Sequence, residues 1–521
     1  MKTVSIFNHV LGPVMRGPSS SHTAGAYHIG RMARSMLGGT PERAVLTFDP
    51  SGSYAATYAA QGADRAFAMG LMGKPLTDES FFTALADAAH AGMNLRYEIR
   101  PLAHADHPNT VELDLAAANG MPLRLVARSV GGGEVEITRV DGRPVLFNGS
   151  AFETLVELAA GKAGAAAELL AGDGALLESP ARPGTEDVAQ LTARRTTALP
   201  ASLRADLRAL DPGARVWEST PVYFVQAGRP LFCSAADMVR IAETRGLSLG
   251  RVALAHEAQL LGLGEAEVMA EMLRRYDVMV QSVERGLDPA FTGLQLLPAC
   301  AGAVFKAEAE GRLSGRSPHA RAAARALAVM HVDGAMGVVC AAPTGGSAGV
   351  IPGALVTLAE ERALTREQIA LALLAAGAVG AILAIRGTFA AEVAGCQVEI
   401  GASGAMAAAA VVDAVGGTAR QACDAAAISF QNTMGSVCDL LHGMVEIPCH
   451  TRNAAAAAAA FVNADLILGG YTNFIPLDET IDAVYAVGLA MPVELRCTSK
   501  GGLAVTPSAK ALKPGGCCTC S

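Results

Sequence analysis

The sequence contains little charge and few aromatic residues. Charged residues make up 17% of its 521 positions and aromatic residues 5%, the formal net charge is −8 at pH 7, and basic residues form no long run. Nucleic acids are bound by basic surfaces that often carry aromatic rings, so we expect no nucleic-acid partner. Hydrophobic residues account for 51%, which excludes a disordered chain and, at this length, predicts two or three folded domains.

A membrane span and a signal peptide are not predicted either. The longest uncharged run covers residues 369–385 and is rich in alanine and glycine, whereas a bilayer span needs about 20 strongly apolar residues. The run therefore predicts a buried helix of a large helical core. The N-terminal residues show no long apolar segment followed by a small-residue cleavage site, so we expect a cytoplasmic protein without a membrane partner.

The remaining pattern predicts a multidomain chain with an α/β (α+β) domain first and a large, mostly α-helical domain last. Residues 1–150 form the first domain, with strand-like runs at residues 44–48, 94–101, 110–115, 122–130 and 134–140. Residues 151–225 form a middle region or linker, and we predict a helix over residues 151–172. Residues 226–521 form the helical domain, whose alanine-rich faces favour a homodimer.

Eleven cysteines at irregular spacing argue against a disulfide framework. Cys396, Cys438 and Cys449 lie beside glycine, proline or polar residues, where chains turn. Their spacing matches no general metal-binding rule, so the residues alone favour core thiols, with cluster ligands as the alternative. Three thiolates on a cubane would leave one iron open as a Lewis acid. Buried thiols are predicted at Cys233, Cys300, Cys340 and Cys423.

Two stretches have the composition of anion-binding turns. Residues 17–23 read GPSSSHT and fall where a helix begins. Ordinary N-capping is the local interpretation, and the alternative is an anion site with His22 beside it as a proton acceptor. Residues 342–352 form a glycine-rich turn that holds Thr344 and Ser347, and either a simple helix connection or an anion-binding loop accounts for it.

Longer motifs occur in a fixed order. They are GPSSSHT (17–23), APTGGSAGVIP (342–352), GCQVEIG (395–401), CD with VEIPCHTRNA (438–454) and GGLA (501–504). Together they resemble the iron–sulfur-dependent L-serine dehydratases, also called L-serine ammonia-lyases. The chain resembles a fused form, with the β-type part at residues 1–150 and the α-type part at residues 226–521.

The resemblance implies a 4Fe–4S cluster held by Cys396, Cys438 and Cys449. It also implies that a cysteine of the C-terminal tail occupies the open iron at rest, and Cys520 is preferred over Cys517 and Cys518. The implied reaction is an α,β-elimination that converts L-serine to pyruvate and ammonia in amino-acid degradation.

The resemblance also implies roles for individual residues. His22 is the first candidate for the base that removes the α-proton. Predicted contacts to the substrate's carboxylate or amino group come from Ser19, Ser20, Ser21, Thr23, Gln61, Thr344, Ser347, Arg452 and Asn453. For Arg452 the alternative is a salt bridge that supports the cluster loop.

One departure from the family concerns the base. Gln61 stands where family members often carry a histidine, and an amide cannot accept a proton. Either His22 acts alone, or another group such as His442 supplies the base, or the substrate is another small β-substituted acid such as L-threonine or L-cysteine. A structural role is the favoured interpretation of His442.

Alternatives from other classes find less support. A pyridoxal-phosphate-dependent dehydratase needs a Schiff-base lysine beside a phosphate loop, and Lys500 after Ser499 is too weak a signal. A non-enzymatic sensor that uses a labile cluster to report oxygen or iron needs an output surface, usually a basic one for DNA, and this sequence does not predict one. A membrane carrier conflicts with the short apolar run.

Overall fold

The computed structural model describes residues 2–118, 122–177, 182–183 and 187–515. The first region is built from five helices and seven strands. Its helices are α1 (Ile6–His9), α2 (Ala24–Leu37), α3 (Ser53–Thr57), α4 (Ala63–Met72) and α5 (Ala84–His90). Its strands are β1 (Val14–Arg16), β2 (Arg43–Phe48), β3 (Asn94–Ile99), β4 (Thr110–Ala116), β5 (Pro122–Gly131), β6 (Glu134–Val140) and β7 (Arg143–Phe147).

Six of these strands form one sheet in the order β3-β2-β4-β5-β6-β7. Strands β2 and β3 are parallel and the other neighbours are antiparallel. Alternate side chains of β4, such as Val111, Leu113 and Leu115, are fully buried, which follows from the two-residue period of a strand with one covered face. The five predicted strands are confirmed, and β7 is added at the sheet edge.

The middle region folds around its own small core. It contains β8 (Phe152–Ala159), α6 (Ala163–Gly172), β9 (Leu176–Leu177), β10 (Arg182–Pro183), β11 (Val188–Arg195), α7 (Ala201–Leu210) and β12 (Arg215–Ser219). Strand β8 lies between β11 and β12 in an antiparallel sheet. The order of strands and helices follows the split β-α-β pattern of ferredoxin-like folds.

The predicted helix over residues 151–172 is wrong in its first half. Residues 152–159 form β8, and the helix begins only at Ala163. Val156 packs into the small core of the middle region, while Leu155 belongs to the main core on the other face. Pairing on both edges and burial of both faces override the helical propensity of the glutamate, leucine and alanine residues.

The last region is mostly helical, as predicted. Its helices are α8 (Ala235–Arg245), α9 (Leu249–Leu261), α10 (Glu265–Leu287), α11 (Ala301–Ala309), α12 (Pro318–Gly334), α13 (Val350–Arg362), α14 (Arg366–Arg386), α15 (Ala391–Ala394), α16 (Ile400–Ala414), α17 (Ala419–Thr433), α18 (Cys449–Leu468), α19 (Leu477–Ala490) and α20 (Pro507–Ala511). A short strand, β13 (Val338–Cys340), pairs antiparallel with β1 and so joins this region to the N-terminal one.

Helix α14 is the predicted buried helix of the core. Within the described residues it is the one helix long and apolar enough to cross a bilayer, and 83% of its apolar window is buried inside the protein. Its glycines let α1 approach closely. A Cβ at Gly377 would lie 2.3 Å from Ile6 Cγ2, and one at Gly380 would lie 2.2 Å from Val10 Cγ1. The small residues of α14 therefore serve helix packing.

Candidate active site

A cavity of about 420 Å³ lies where the N-terminal and helical regions meet. The N-terminal region contributes the turn before α2, helix α3 and the residues around it. The helical region contributes the glycine-rich turn before α13, the segments around residues 391–400 and 438–449, and residues 493–500. The pairing of β1 with β13 holds the two turns together, because β1 leads directly into the serine-rich turn and β13 into the glycine-rich one.

His22 is fixed among hydroxyl groups in the wall of this cavity. Its Nδ1 lies 3.1 Å from Ser19 Oγ, and its Nε2 lies 2.9 Å from Thr57 Oγ1 and 3.2 Å from Ser53 Oγ. The side chain is only 2% exposed, and burial lowers its pKa to about 4. At neutral pH His22 is therefore an uncharged imidazole with both ring nitrogens engaged.

The serines before α2 do not cap the helix. Thr23 is the N-cap residue, and no side chain makes a capping hydrogen bond there. Thr23 Oγ1 instead donates to the carbonyl oxygens of Arg16 and Ser19, at 2.6 and 2.9 Å. Ser19, Ser20 and Ser21 line the cavity. The N-capping interpretation is thus wrong, and the three serines face the space that a small ligand would occupy.

Two carboxyl groups lie in the opposite wall. Thr344 Oγ1 donates to Glu399 Oε1 at 2.7 Å, and Glu392 lines the same cavity. Burial, together with the neighbouring Glu392 charge, raises the pKa of Glu399 to about 7. Burial also raises the pKa of Glu392. Glu399 therefore has the protonation behaviour of a group that exchanges a proton near neutral pH.

The three predicted ligand cysteines converge beside these carboxyl groups. Cys396 begins a short 3-10 turn, Cys438 lies in a loop, and Cys449 is the first residue of α18. Each is at most 8% exposed. Cys438 and Cys449 line the cavity, whereas Cys396 lies behind them. Each of the three thiols interacts electrostatically with at least one of the others, so they form one group.

The chemistry of this group fits a cluster better than a single ion. Among the described residues, no three His, Cys, Asp or Glu side chains are close enough to hold one metal ion. A cubane binds each thiolate through a different iron, so its ligands need not meet at one point. Burial raises the pKa of Cys396 and of Cys449, and the nearby Arg452 guanidinium opposes that rise. A cation beside buried thiols favours their ligand form.

Four predicted contact residues support the walls instead of lining the cavity. They are Thr23, Ser347, Arg452 and Asn453. Ser347 Oγ accepts from the Thr344 amide at 3.2 Å and fixes the glycine-rich turn. Asn453 Nδ2 donates to the carbonyl oxygens of Gly346 and Cys449, both at 2.9 Å, and ties that turn to α18.

Arg452 forms a salt bridge, which was the predicted alternative to a contact with the substrate. Its guanidinium lies 2.9 Å from Asp439 Oδ1, and it donates to the carbonyl oxygen of Val437 at 2.8 Å. Asp439 Oδ2 accepts from the Leu503 amide at 2.8 Å. A Cβ at Gly502 would lie 2.4 Å from that oxygen, and the glycine has φ +60°. The GGLA motif therefore packs against the loop that carries Cys438.

Gln61 and His442 occupy different environments. Gln61 lines the cavity, and its Nε2 donates to the carbonyl oxygen of Gly443 at 2.8 Å. This hydrogen bond links the N-terminal region to the helical one. His442 is exposed, does not line the cavity, and donates to the carbonyl oxygen of Ala509 at 2.9 Å. That contact agrees with the structural interpretation of His442.

The C-terminal cysteines and some residues of the cavity wall have not yet been placed. The tail cysteines Cys517, Cys518 and Cys520 lie outside the described residues. Several residues of the cavity wall were not predicted as site residues, among them Glu399, Cys497 and Lys500. Glu399 lies inside the GCQVEIG motif, which was its only signal. Cys497 and Lys500 lie in an irregular segment before the GGLA motif, where no local pattern marks them.

Comparison with known proteins identifies the family. The family model described as serine dehydratase alpha chain matches residues 244–504. A probable L-serine dehydratase alpha chain from Bacillus subtilis (strain 168) is 38% identical over 289 residues, which cover 54% of this chain and 94% of that protein. This chain belongs to the serine dehydratase alpha chain family.

Further relatives match a segment of similar length but are covered to different extents. The L-serine dehydratase alpha chain of Peptoniphilus asaccharolyticus is 33% identical over 281 residues, covering 54% of this chain and 96% of that one. L-serine dehydratase TdcG of Escherichia coli (strain K12) is 33% identical over 282 residues, covering 53% and 62% respectively. The predicted recognition as a lyase of this family, in a fused single chain, is confirmed.

The residues that line the cavity fall partly inside and partly outside the segment that the family model matches. Residues 244–504 include Thr344, Glu399, the three cysteines, Cys497 and Lys500, whereas His22, Gln61 and the serines come from the part that precedes the match. The serine dehydratase alpha segment thus supplies the ionisable wall, and the N-terminal region completes it.

Proposed function

We propose that this chain deaminates L-serine to pyruvate and ammonia by an iron–sulfur-dependent α,β-elimination. One observation carries the proposal. A single cavity brings a group of buried thiols, a carboxyl group with a pKa near neutrality and a row of serine hydroxyls together. Family membership and the printed names of the relatives support L-serine as the substrate.

Cys396, Cys438 and Cys449 would hold a 4Fe–4S cluster. When bound, the cluster would supply a Lewis acid that makes the β-hydroxyl a better leaving group. Arg452 balances the negative charge of the thiolates and holds their loop through Asp439. Asn453 keeps the glycine-rich turn against Cys449. These two residues act as positioning residues in our proposal.

The cavity walls would hold the substrate by its charged ends. Two cationic side chains line the cavity, Arg496 and Lys500. Arg496 already donates to the carbonyl oxygen of Leu489 at 2.6 Å, and no partner of the Lys500 ammonium group is found in the part of the chain described. Lys500 therefore pairs with the substrate carboxylate, and Ser19, Ser20 and Ser21 provide hydrogen bonds to the carboxylate or amino group.

Glu399 is the side chain that we assign as acceptor of the α-proton. His22 was the first candidate, but both of its ring nitrogens contact hydroxyl groups, and its low pKa makes it a weak base. Glu399 faces the cavity from the thiol-bearing wall, and Thr344 holds one of its oxygens. The neutral His22 orients Ser19, Ser53 and Thr57, which keeps the hydroxyl row in place.

The elimination gives an aminoacrylate, which tautomerises and hydrolyses to pyruvate and ammonia. The proton taken by Glu399 returns to solvent or to the departing hydroxide, so the side chains regain their starting state. A second substrate class stays open because Gln61 replaces a histidine frequent in the family. L-threonine, L-cysteine or a related small β-substituted acid would use the same residues.

We further propose that the protein is a cytoplasmic homodimer. The chain's exposed apolar side chains include Tyr471, Phe474 and Ile475, near the end of α18, and such residues are common at interfaces between subunits.

The decisive experiment is an anaerobic assay. The protein is purified without oxygen, and pyruvate and ammonia are measured from L-serine, D-serine, L-threonine and L-cysteine, before and after exposure to air. We expect equal amounts of both products from L-serine, a lower kcat/KM for the other compounds, and loss of activity in air. An iron-loaded protein that turns over none of them would refute the proposal.

A further inference from the structure

Glu392 is a carboxyl group of the cavity wall to which the proposed mechanism assigns no task. It belongs to α15 of the helical region and lines the cavity. It interacts electrostatically with Glu399 and with the Cys438 and Cys497 thiols. It also interacts with Tyr54 of the N-terminal region. Glu392 therefore lies where the two regions meet, beside the groups that would carry out the elimination.

The carboxyl group of Glu392 has an amide partner but no cationic one. The side-chain amide of Asn109 donates a hydrogen bond to it. The backbone carbonyl oxygen of Asn109 accepts from the Ser129 amide at 3.2 Å, which fixes Asn109 in the N-terminal region. Within the part of the chain that the structure describes, no Lys, Arg or His side chain contributes to the electrostatic environment of Glu392. A buried carboxylate is stabilised by a cation, and here a bound ligand would have to supply it.

The neighbouring carboxyl group points to the same ligand. Burial, together with the Glu392 charge, raises the pKa of Glu399, and no described cation counteracts that rise. Two neighbouring carboxyl groups repel each other when both are ionised, and a positively charged ligand relieves the repulsion. In an amino acid, the α-carbon carries both the ammonium group and the proton that Glu399 would accept. The acceptors of these two groups therefore have to be neighbours, as Glu392 and Glu399 are.

We propose that Glu392, oriented by Asn109, binds the α-ammonium group of the substrate and makes the cavity selective for amino acids over the corresponding hydroxy acids. The inference rests on the proposed function. With Lys500 on the carboxylate, both charged ends of an amino acid meet opposite charges in one wall. A hydroxy acid carries a hydroxyl in place of the ammonium group and would leave the Glu392 carboxylate without a counter-charge, which weakens binding.

The test uses two ligands that cannot undergo the elimination. L-Alanine and L-lactate share the carboxylate, the methyl group and the configuration, and they differ only in the ammonium or hydroxyl group on the α-carbon. Calorimetry measures their binding to anaerobically purified wild type, Glu392→Gln, Glu392→Asp and Glu284→Gln, whose site lies exposed on α10. We expect wild type and the Glu284 control to bind L-alanine about tenfold or more tightly than L-lactate. Glu392→Gln should bind both equally, and Glu392→Asp should keep part of the preference.

Iron content and L-serine kinetics separate the outcomes. Glu392→Gln should keep its iron and raise KM for L-serine about tenfold, with kcat changed by less than about fivefold. A preserved preference for L-alanine in Glu392→Gln would overturn the inference. Equal weakening of both ligands, or loss of iron from both Glu392 variants, would also overturn it, because Glu392 would then only support the wall. A fall in kcat at unchanged KM would place Glu392 in the chemical step, against the inference. Wild type that forms no pyruvate from L-serine would instead refute the proposed function.

Discussion

The two walls of the cavity differ in charge. Within the described part of the chain, the residues that line the cavity from positions 18–132 carry hydroxyl, amide and imidazole groups but no Asp, Glu, Lys or Arg side chain. The wall from positions 344–500 carries two carboxyl groups, two cations and three thiols. The difference suggests different tasks for the two walls, because hydroxyl and amide groups can hold a substrate but exchange no proton near neutral pH, whereas proton transfer needs ionisable groups.

The largest expected effect comes from removing Cys396, which belongs to the thiol group next to the ionisable wall. Cys396→Ser keeps the shape of the side chain but removes a proposed cluster ligand, so we expect loss of iron and of turnover. Iron content and pyruvate formation check this. Cys423→Ser is the matched control, because Cys423 is a buried thiol of α17 outside the cavity. Full activity of Cys396→Ser would exclude its role as a ligand.

The next effect separates the two candidate bases. Glu399→Gln should retain iron and lower kcat by about 10²–10⁴, the usual contribution of a general base. In wild type kcat should fall as the pH decreases through about 7, because Glu399 must be deprotonated. His22, with a pKa of about 4, would produce no change there. The pH profile of kcat checks this, and an unchanged inflection in Glu399→Gln would assign it to another group.

A smaller effect is expected from replacing Lys500, one of the two cations in the wall formed by positions 344–500. Lys500→Met should raise KM for L-serine about tenfold and leave kcat within a few-fold, because a hydrogen bond to a charged group contributes about 1.5–3 kcal/mol. Steady-state kinetics check this. Lys510→Met, on α20 outside the cavity lining, is the control. A fall in kcat without a change in KM would place Lys500 in the chemical step.

The smallest effect concerns the neutral wall. Gln61→His introduces the imidazole that the resemblance implied at this position but removes the hydrogen bond to Gly443, and a neutral hydrogen bond contributes about 0.5–1.5 kcal/mol. We expect kcat to change by less than about threefold, as measured with saturating L-serine. A large gain in kcat would show that a histidine at position 61 acts as a base. Proton transfer would then not be confined to the wall formed by positions 344–500.

Much of the architecture followed from local sequence patterns. Fully buried and partly exposed side chains alternate along β4 of the first sheet, and the uncharged run within α14 is buried. The first half of the middle region was mispredicted because β8 gains its stability from two neighbouring strands that lie later in the chain. Local propensity contains no information on such pairing.

The site was predicted in part. The motifs indicated the three cysteines, Thr344 and the serine-rich turn, but their meeting depends on the pairing of β1 with β13, which are separated by more than 300 residues. Cys497 and Lys500 have no motif of their own and reach the cavity only because residues 493–500 fold against the Cys438 loop. The absence of a side-chain cap at the start of α2 could not be predicted either, because it depends on the hydrogen bonds that Thr23 makes in the folded chain.

The most direct test of the account compares activity with cluster content. Anaerobically purified protein is divided and treated with increasing amounts of an iron chelator, and iron, sulfide and pyruvate formation from L-serine are measured on each fraction. We predict about four irons and four sulfides per fully active chain, and activity that decreases in proportion to the fraction of chains that keep the cluster. Undiminished pyruvate formation from iron-free protein would contradict it.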